Sequence, residues 1–400
     1  MKSISIISIL CPLLVAGILF SCEKDDTDFS AYDFSTYSLR SEQGDDDEAA
    51  TLSDTISLAI AWSGTTATVS GEAGDSVTVA VAGGDVTVTS TTQRFLELTL
   101  SGTCSDGSLL VYSSVKWGLV LNGLELTNDD GPAINNQCGK ALYITVADGT
   151  ENTLADGEDY ADAPADALGA YIDQKGTLFS EGQIYFHGTG TLNVDGNCKN
   201  AIASDDYIII NESGPTIAVN AYGTNGIKVN DGMEILGGKL DIFVYSDGGR
   251  GIRNEAYMTI GGGSTTITTT GDCSIETTDG VADTTSCAGI KCDSIFTMTA
   301  GSLYVTSTGD GGKGINCAQN VEVSGGSLEV HTLGGNDMAK PKGVKSDTGI
   351  ILSGGSFIVT VSKSWACDNG SDSDDISGML TIKGTPATRE MAKKSVKVIY

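Results

Sequence analysis

Short apolar runs of three to five residues recur along most of the chain, alternating with polar residues and closed by Gly, Asn or Asp. A period of two over such short stretches reads as β-strand, and no segment keeps a 3.6-residue period long enough for a helix. The runs are also in step with one another. Glycines that open an alternating apolar unit stand at Gly190, Gly214, Gly238, Gly263, Gly301, Gly326 and Gly355, at steps of 24, 24, 25, 38, 25 and 29 residues. A second landmark, a small residue before Ile or Val, falls at Ala201, Gly226, Gly251, Gly289, Gly314 and Gly343, at steps of 25, 25, 38, 25 and 29. Two landmarks with one history of insertions define a structural repeat.

A third apolar run lies between them: Ile208–Ile210, Met233–Ile235, Met258–Ile260, Ile295–Met298, Val321–Val323 and Ile350–Leu352. Each repeat therefore holds three strands, and stacking such coils gives an all-β chain folded as a parallel β-helix. About a dozen coils at a strand spacing of ~4.8 Å would make a rod roughly 55–60 Å long. A β-propeller is excluded, because its blades need about 40–45 residues each. The amino-terminal part follows the same grammar less regularly, through Val86–Val88, Leu98–Leu100, Leu109–Val111 and Leu142–Val146. The helix is expected to span 51–370, with residues 51–90 as an amino-terminal cap and 371–400 as a carboxy-terminal cap or extension.

Ahead of the rod, residues 1–21 read as a lipoprotein signal peptide. Lys2 precedes Ile4 to Phe20, apolar apart from Ser5 and Ser8, and Leu19-Phe20-Ser21-Cys22 is a loose lipobox. Cys22 is the expected lipidation site, tying the chain to a lipid bilayer by acyl chains rather than by a span. The next residues, Glu23-Lys24-Asp25-Asp26, resemble the acidic export tag of Bacteroidetes surface lipoproteins, which implies a lipid-anchored place on the outer membrane at the cell surface. Residues 22–50 are too polar to bury a core and are expected to form a flexible acidic tether.

Charge narrows the class of partner. Lys and Arg number 23 against 52 Asp and Glu, for a net charge of −29, which argues against nucleic acid as a partner. It suits an extracytoplasmic protein that uses divalent cations. With 52 Gly but 6 Pro, the chain is neither collagenous nor a proline-rich tail.

Several segments resemble one family. They are Val120-Leu-Asn-Gly-Leu-Glu-Leu-Thr-Asn-Asp-Asp-Gly-Pro-Ala-Ile134, Gly149-Thr-Glu-Asn-Thr-Leu-Ala-Asp-Gly157, Gly188-Thr-Gly-Thr-Leu-Asn-Val194, and the repeated Gly-Ile-Lys and Gly-Gly-Ser-Leu units. Together, over about residues 55–365, they look like the bacterial carbohydrate-binding domain-containing β-helix proteins. The resemblance implies a right-handed parallel β-helix similar to pectate lyases, binding of cellulose-like or acidic, pectin-like polysaccharide, and bound calcium without established lyase activity. It also implies acidic residues around the Gly-Ile landmark. Here the residue before that glycine is Asn225, Arg250, Ala288, Lys313 or Lys342, so this chain departs from the pattern.

Alternation places candidate chemistry on the rod surface. With Ile227, Ile252, Ile290, Ile315 and Val344 inward, the next residues, Lys228, Arg253, Lys291, Asn316 and Lys345, point outward. Arg250, Lys313 and Lys342 adjoin them, so seven basic side chains share one narrow stripe. The stripe could hold an anionic glycan. It could equally be neutralised from within by Asn230, Glu255, Asp293 and Asp347, two residues further on. Tyr304, with Phe243, Tyr245 and Trp365, is an outward aromatic suited to stacking on sugars or to filling gaps between coils.

Asp247-Gly-Gly-Arg-Gly-Ile252 recurs as Asp310-Gly-Gly-Lys-Gly-Ile315. Asp247, Asp310, Asp205 and Asp206 are the candidate calcium ligands, and the competing reading of each is an ordinary Asp-Gly turn. Cys292 and Cys317 should stack as buried thiols, and Cys273 and Cys287 flank the 13 extra residues of the long repeat, where oxidation could staple them. His187 and His331 lack a nucleophile partner, so no catalytic residue is assigned. The sequence thus points to surface-anchored, non-catalytic polysaccharide binding, with calcium as the cofactor. A calcium-assisted polysaccharide lyase and an adhesin are the alternatives.

Overall fold

The computed structural model describes residues 55–165, 169–278, 280–368, 380–393 and 395–400. The expected signal peptide, Cys22 and the acidic tether lie outside the described residues, as does 369–379 of the expected carboxy-terminal boundary.

The chain is a parallel β-helix with three faces. Face A is built from eleven parallel strands: Asp85–Ser90, Leu109–Ser113, Ile134–Asn136, Gly176–Ser180, Asn200–Ser204, Ile227–Val229, Arg250–Asn254, Ala288–Cys292, Lys313–Cys317, Lys342–Ser346 and Trp365–Asp368. Face B carries the short middle strands, such as Gly232–Ile235, Tyr257–Ile260 and Val321–Val323. Face C carries six-residue strands, such as Thr216–Ala221, Lys239–Val244 and Ser264–Thr269. Each strand pairs with its equivalent one coil away, so Ile227 stacks on Ile252 and Leu240 on Thr265.

Alternation fills the interior. In one coil Ile227, Val229, Met233, Ile235, Leu240, Ile242 and Val244 are all buried, while Lys228, Glu234, Asp241 and Phe243 between them face out. Each buried aliphatic contributes roughly 1.5–3 kcal/mol. A lone coil cannot cover its own two open sides, so that burial exists only in the stack.

The glycine landmarks have two separate causes. Gly238, Gly263, Gly301, Gly326 and Gly355 each hold φ between +66° and +74° where the chain turns into face C, a conformation that costs glycine nothing. The glycine of the Gly-Ile pair is needed for space instead. A Cβ on Gly314 would run into Val330 Cγ1 and come within 2.6 Å of the Gly343 carbonyl oxygen, and Gly226, Gly251, Gly289 and Gly343 are crowded in the same way.

Insertions and ends interrupt the regular stack. The 38-residue repeat carries an antiparallel hairpin, Ser274–Thr278 with Val281–Thr285, at the corner between faces C and A. At the amino end, Ile56–Gly64 pairs antiparallel with Thr66–Gly71, and Val77–Ala82 with Asp85–Ser90. At the carboxyl end, Val396–Ile399 lies antiparallel on Ser356–Val361 and a short helix, Arg389–Lys393, packs beside Trp365–Asp368. These pairings cover edges that would otherwise recruit another chain.

Candidate functional site

Face A turns two columns of side chains outward. One runs Ala203, Lys228, Arg253, Lys291, Asn316, Lys345 and Asp368, in register from coil to coil. Two residues further along each strand come Asp205, Asn230, Glu255, Asp293 and Asp347. The columns interlock. Lys228 reaches Asn230 Oδ1 at 2.7 Å and Glu255 at 3.3 Å. Arg253 reaches Asp293 at 2.7 Å and Glu255 at 3.6 Å. Lys291 pairs with Asp293, and Lys345 with Asp347 at 2.6 Å. Burial raises the Asp293 carboxyl, but Lys291 and Arg253 outweigh it and hold the group below its ordinary value. The ladder relieves the repulsion between stacked cations, and each half-exposed pair adds only about 0–1 kcal/mol to the fold.

A third column, at the start of each strand, runs Arg250, Ala288, Lys313, Lys342 and Trp365. Lys342 pairs with Asp368. Lys313 differs from the rest: it is half-buried, and among the described residues no carboxylate pairs with it. Burial, reinforced by Lys345, Lys342 and Lys291, pushes its amine down to about 8 against a smaller opposing pull from Asp368. Over the six coils from Lys228 to Asp368 the strip sets seven cations against the four carboxylates Glu255, Asp293, Asp347 and Asp368, Asp205 of the same column lying one coil earlier. The strip is therefore net +3 on a chain whose net charge is −29.

The aspartates of the C–A corner make turns. Asp247 Oδ1 accepts the Asp272 N–H at 2.8 Å, Asp272 Oδ1 accepts the Asp310 N–H at 2.7 Å, and Asp310 accepts the Asp337 and Met338 N–H groups at 2.9–3.1 Å. Each carboxylate thereby ties its corner to the next coil. Asp206 is buried and accepts from Gln183 Nε2 at 2.7 Å and from the Tyr207 N–H at 3.0 Å.

Asp205 has different company. Its carboxylate lies with those of Asp173 and Glu181, their oxygens all within 4.8 Å of one another, and Lys175 bridges Asp173, at 2.6 Å, and Asp205. Burial and the two aspartates push the Glu181 carboxyl up to about 7. Such a set of oxygens fits a hard cation. Asp173 and Glu181 escaped sequence reasoning because Asp173 lies in an insertion that breaks the period. Glu181 does occupy the outward acidic column, which was a legible signal.

Tyr304 is 41% exposed on face C, its ring 5.2 Å from that of His331. A larger aromatic group stands nearer the C–A corner. Tyr222 and Tyr245, 48% and 41% exposed, stack at 4.5 Å and 5°, and Phe243 lies 4.3 Å from Tyr245. Tyr222 was missed, although it occupies the position of Tyr245 in the preceding coil. Trp365 has Lys393 over its ring at 5.1 Å. His187 is buried beside Tyr143 and Asn211, and burial pushes its imidazole down to about 4. Cys292 and Cys317 are stacked, buried thiols; Cys273 and Cys287 are buried and free at the base of the hairpin.

A family model described as "Carbohydrate-binding domain-containing protein" matches residues 82–273 and 243–337. The chain belongs to this carbohydrate-binding domain family. The matched coils include Lys228, Arg250, Arg253, Lys291 and Lys313, whereas Lys342 and Lys345 lie beyond them. A carbohydrate-binding domain-containing protein of Acetivibrio thermocellus is 32% identical over 126 residues, covering 31% of this chain and 42% of that protein. The match thus spans less than half the length of that relative. The solved structure of a polysaccharide lyase-like protein from C. thermocellum, a gadolinium derivative, is similar with a TM-score of 0.53 at 23% identity, over 67% of this chain and 97% of that one. That likeness is one of fold, the β-solenoid.

Proposed function

We propose that this protein holds an acidic, polyuronate-like polysaccharide along face A without cleaving it, at the outer surface of the cell. The observation that carries the reading is the strip of net +3 on a chain of net −29. An anionic polymer meets like charge over most of such a surface, and face A is where attraction replaces repulsion. Repetition at coil spacing lets several weak contacts act together on one polymer. The exposed Tyr222–Tyr245 stack near the same corner offers apolar rings to the neutral faces of sugars. A calcium ion would draw on Asp173, Glu181 and Asp205, with Lys175 displaced.

One observation favours a lyase instead: the Lys313 amine, at about 8, can accept a proton near neutral pH. Lyase chemistry also needs a cation beside the uronate. Among the described residues the one set of three convergent carboxylates, Asp173, Glu181 and Asp205, lies four to five coils away, roughly 19–24 Å along the rod. Polygalacturonate incubated with the protein and calcium is therefore expected to develop no ultraviolet absorbance from unsaturated uronate ends. Sustained turnover that disappears in Lys313→Ala would replace binding by catalysis.

Anchoring has its own test. Cys22→Ala is expected to release the protein from the membrane fraction, because the acyl attachment is gone. Wild-type protein that resists protease on intact cells would contradict a surface location.

A further inference from the structure

Six of the seven cations on face A differ in kind from Lys313. Lys291, Lys342 and Lys345, the three that crowd it, are matched by Asp293, Asp368 and Asp347. Lys228 and Arg253 share Glu255, and Arg250 has an interaction of its own. The coil before Lys313 presents only the Ala288 methyl at the equivalent position, and the coil after it presents Lys342. The neighbouring outward column adds Lys291, Asn316 and Lys345. Among the described residues Asp368 is the carboxylate that acts on Lys313, and Lys342 already holds it.

A half-buried ammonium ringed by ammoniums destabilises the fold. Nothing in the coil demands it, since alanine serves at the same place one coil earlier. We propose that Lys313 seats a single carboxylate of the bound polysaccharide and is the point where face A tells an acidic sugar from a neutral one. The inference rests on the reading of face A as a polysaccharide-binding strip, and it names the group recognised there. A carboxylate at Lys313 would form a charge-assisted hydrogen bond in a partly dry setting and would soften the repulsion from Lys291, Lys342 and Lys345. One ammonium offers one point charge, which matches the monovalent carboxylate of a uronic acid. Stability given up at a binding residue is a common pattern in proteins.

Two consequences separate this role from a structural one. The first is in stability. The unfolded chain keeps the lysine proton to about 10.4, whereas the folded site releases it near 8. The unfolded state thus binds more protons between those values, so this group makes stability rise with pH across that window and destabilises fully below it. Removing the amine should therefore raise Tm at neutral pH. The second is in binding, which should weaken as pH climbs through about 8, well before an ordinary lysine titrates.

The test is calorimetric titration of the full chain with polygalacturonate and with its fully methyl-esterified form, at low salt, for wild type, Lys313→Met and Lys313→Arg. Lys313→Met should lose about tenfold or more in affinity for polygalacturonate, gain in Tm, and bind the esterified polymer as wild type does. Lys313→Arg should keep its affinity and lose the decline near pH 8, because guanidinium stays charged. Should Lys313→Met not fold, Lys313→Gln and the wild-type pH profile carry the same test. Unchanged affinity in the Met or Gln variant, or a wild-type affinity flat from about pH 7 to about pH 9.5, overturns the role of Lys313 and leaves face A as the binding strip. A wild type that ignores polygalacturonate altogether removes both.

Discussion

Gly314→Val is expected to destabilise the rod by about 3 kcal/mol or more. The added Cβ meets Val330 Cγ1 on face C, a side chain that is itself buried, and approaches the Gly343 carbonyl of the next coil at 2.6 Å. Neither obstacle can move alone: Val330 is packed in the interior, and the Gly343 backbone belongs to the next strand of face A. Shifting either disturbs the pairing of Lys313–Cys317 with Lys342–Ser346. Gly261→Ala is the fitting contrast. There the nearest atom is Leu236 Cδ2, the tip of a flexible side chain, at 3.3 Å, so a change within about 1 kcal/mol is expected. Denaturant unfolding of the two variants checks both values. A Gly314→Val protein that unfolds with the wild type would mean that faces A and C do not meet as described.

The second large effect is on binding. Changing Lys228, Arg253, Lys291 and Lys345 together to Ser is expected to abolish polyuronate binding while leaving the rod folded. Four positive charges leave and Glu255, Asp293, Asp347 and Asp368 remain, so the strip passes from net +3 to net −1 and repels the polymer it attracted. The lost ion pairs are half-exposed, worth about 0–1 kcal/mol each, and the freed carboxylates can turn to water. Circular dichroism should therefore match wild type where pull-down on polygalacturonate fails. A folded quadruple variant that binds as well as wild type would make the ladder a purely internal device and move the binding face to another side.

The repeat was legible because a solenoid writes its geometry into spacing. Most inward places hold an aliphatic, the turns from Gly238 to Gly355 need a glycine where φ is positive, and the strands from Gly226 to Gly343 need one where Val330 and its equivalents press against the backbone. Those demands recur in Gly251-Ile252, Gly289-Ile290 and Gly314-Ile315 with the insertions shared, so faces, register and stripe followed from alternation. Among the described residues face A holds eleven parallel strands, in line with the expected stack of about a dozen coils.

What alternation does not encode is which neighbour a long side chain chooses. It places Lys313 and Lys342 in one column, but only the folded chain shows that Asp368 goes to Lys342 and that, among the described residues, no carboxylate pairs with Lys313. The same limit explains the aspartates. Asp247, Asp310 and Asp205 are equal candidates as calcium ligands in the sequence, yet two cap the next coil's backbone and the third joins Asp173 and Glu181. Asp173 belongs to a segment outside the repeat, where no period can assign it a place.

The most direct measurement is the affinity of the wild-type chain for polygalacturonate as salt is raised, with the methyl-esterified polymer alongside. Contacts on an exposed strip are screened once the Debye length falls below the distances involved, about 10 Å at 0.1 M and 3 Å at 1 M. Acidic polysaccharide held on face A should bind tightly at low salt and release steeply as salt rises, while the esterified polymer shows weak, nearly salt-independent binding. Equal affinity for both polymers, unchanged by salt, would contradict electrostatic recognition on face A.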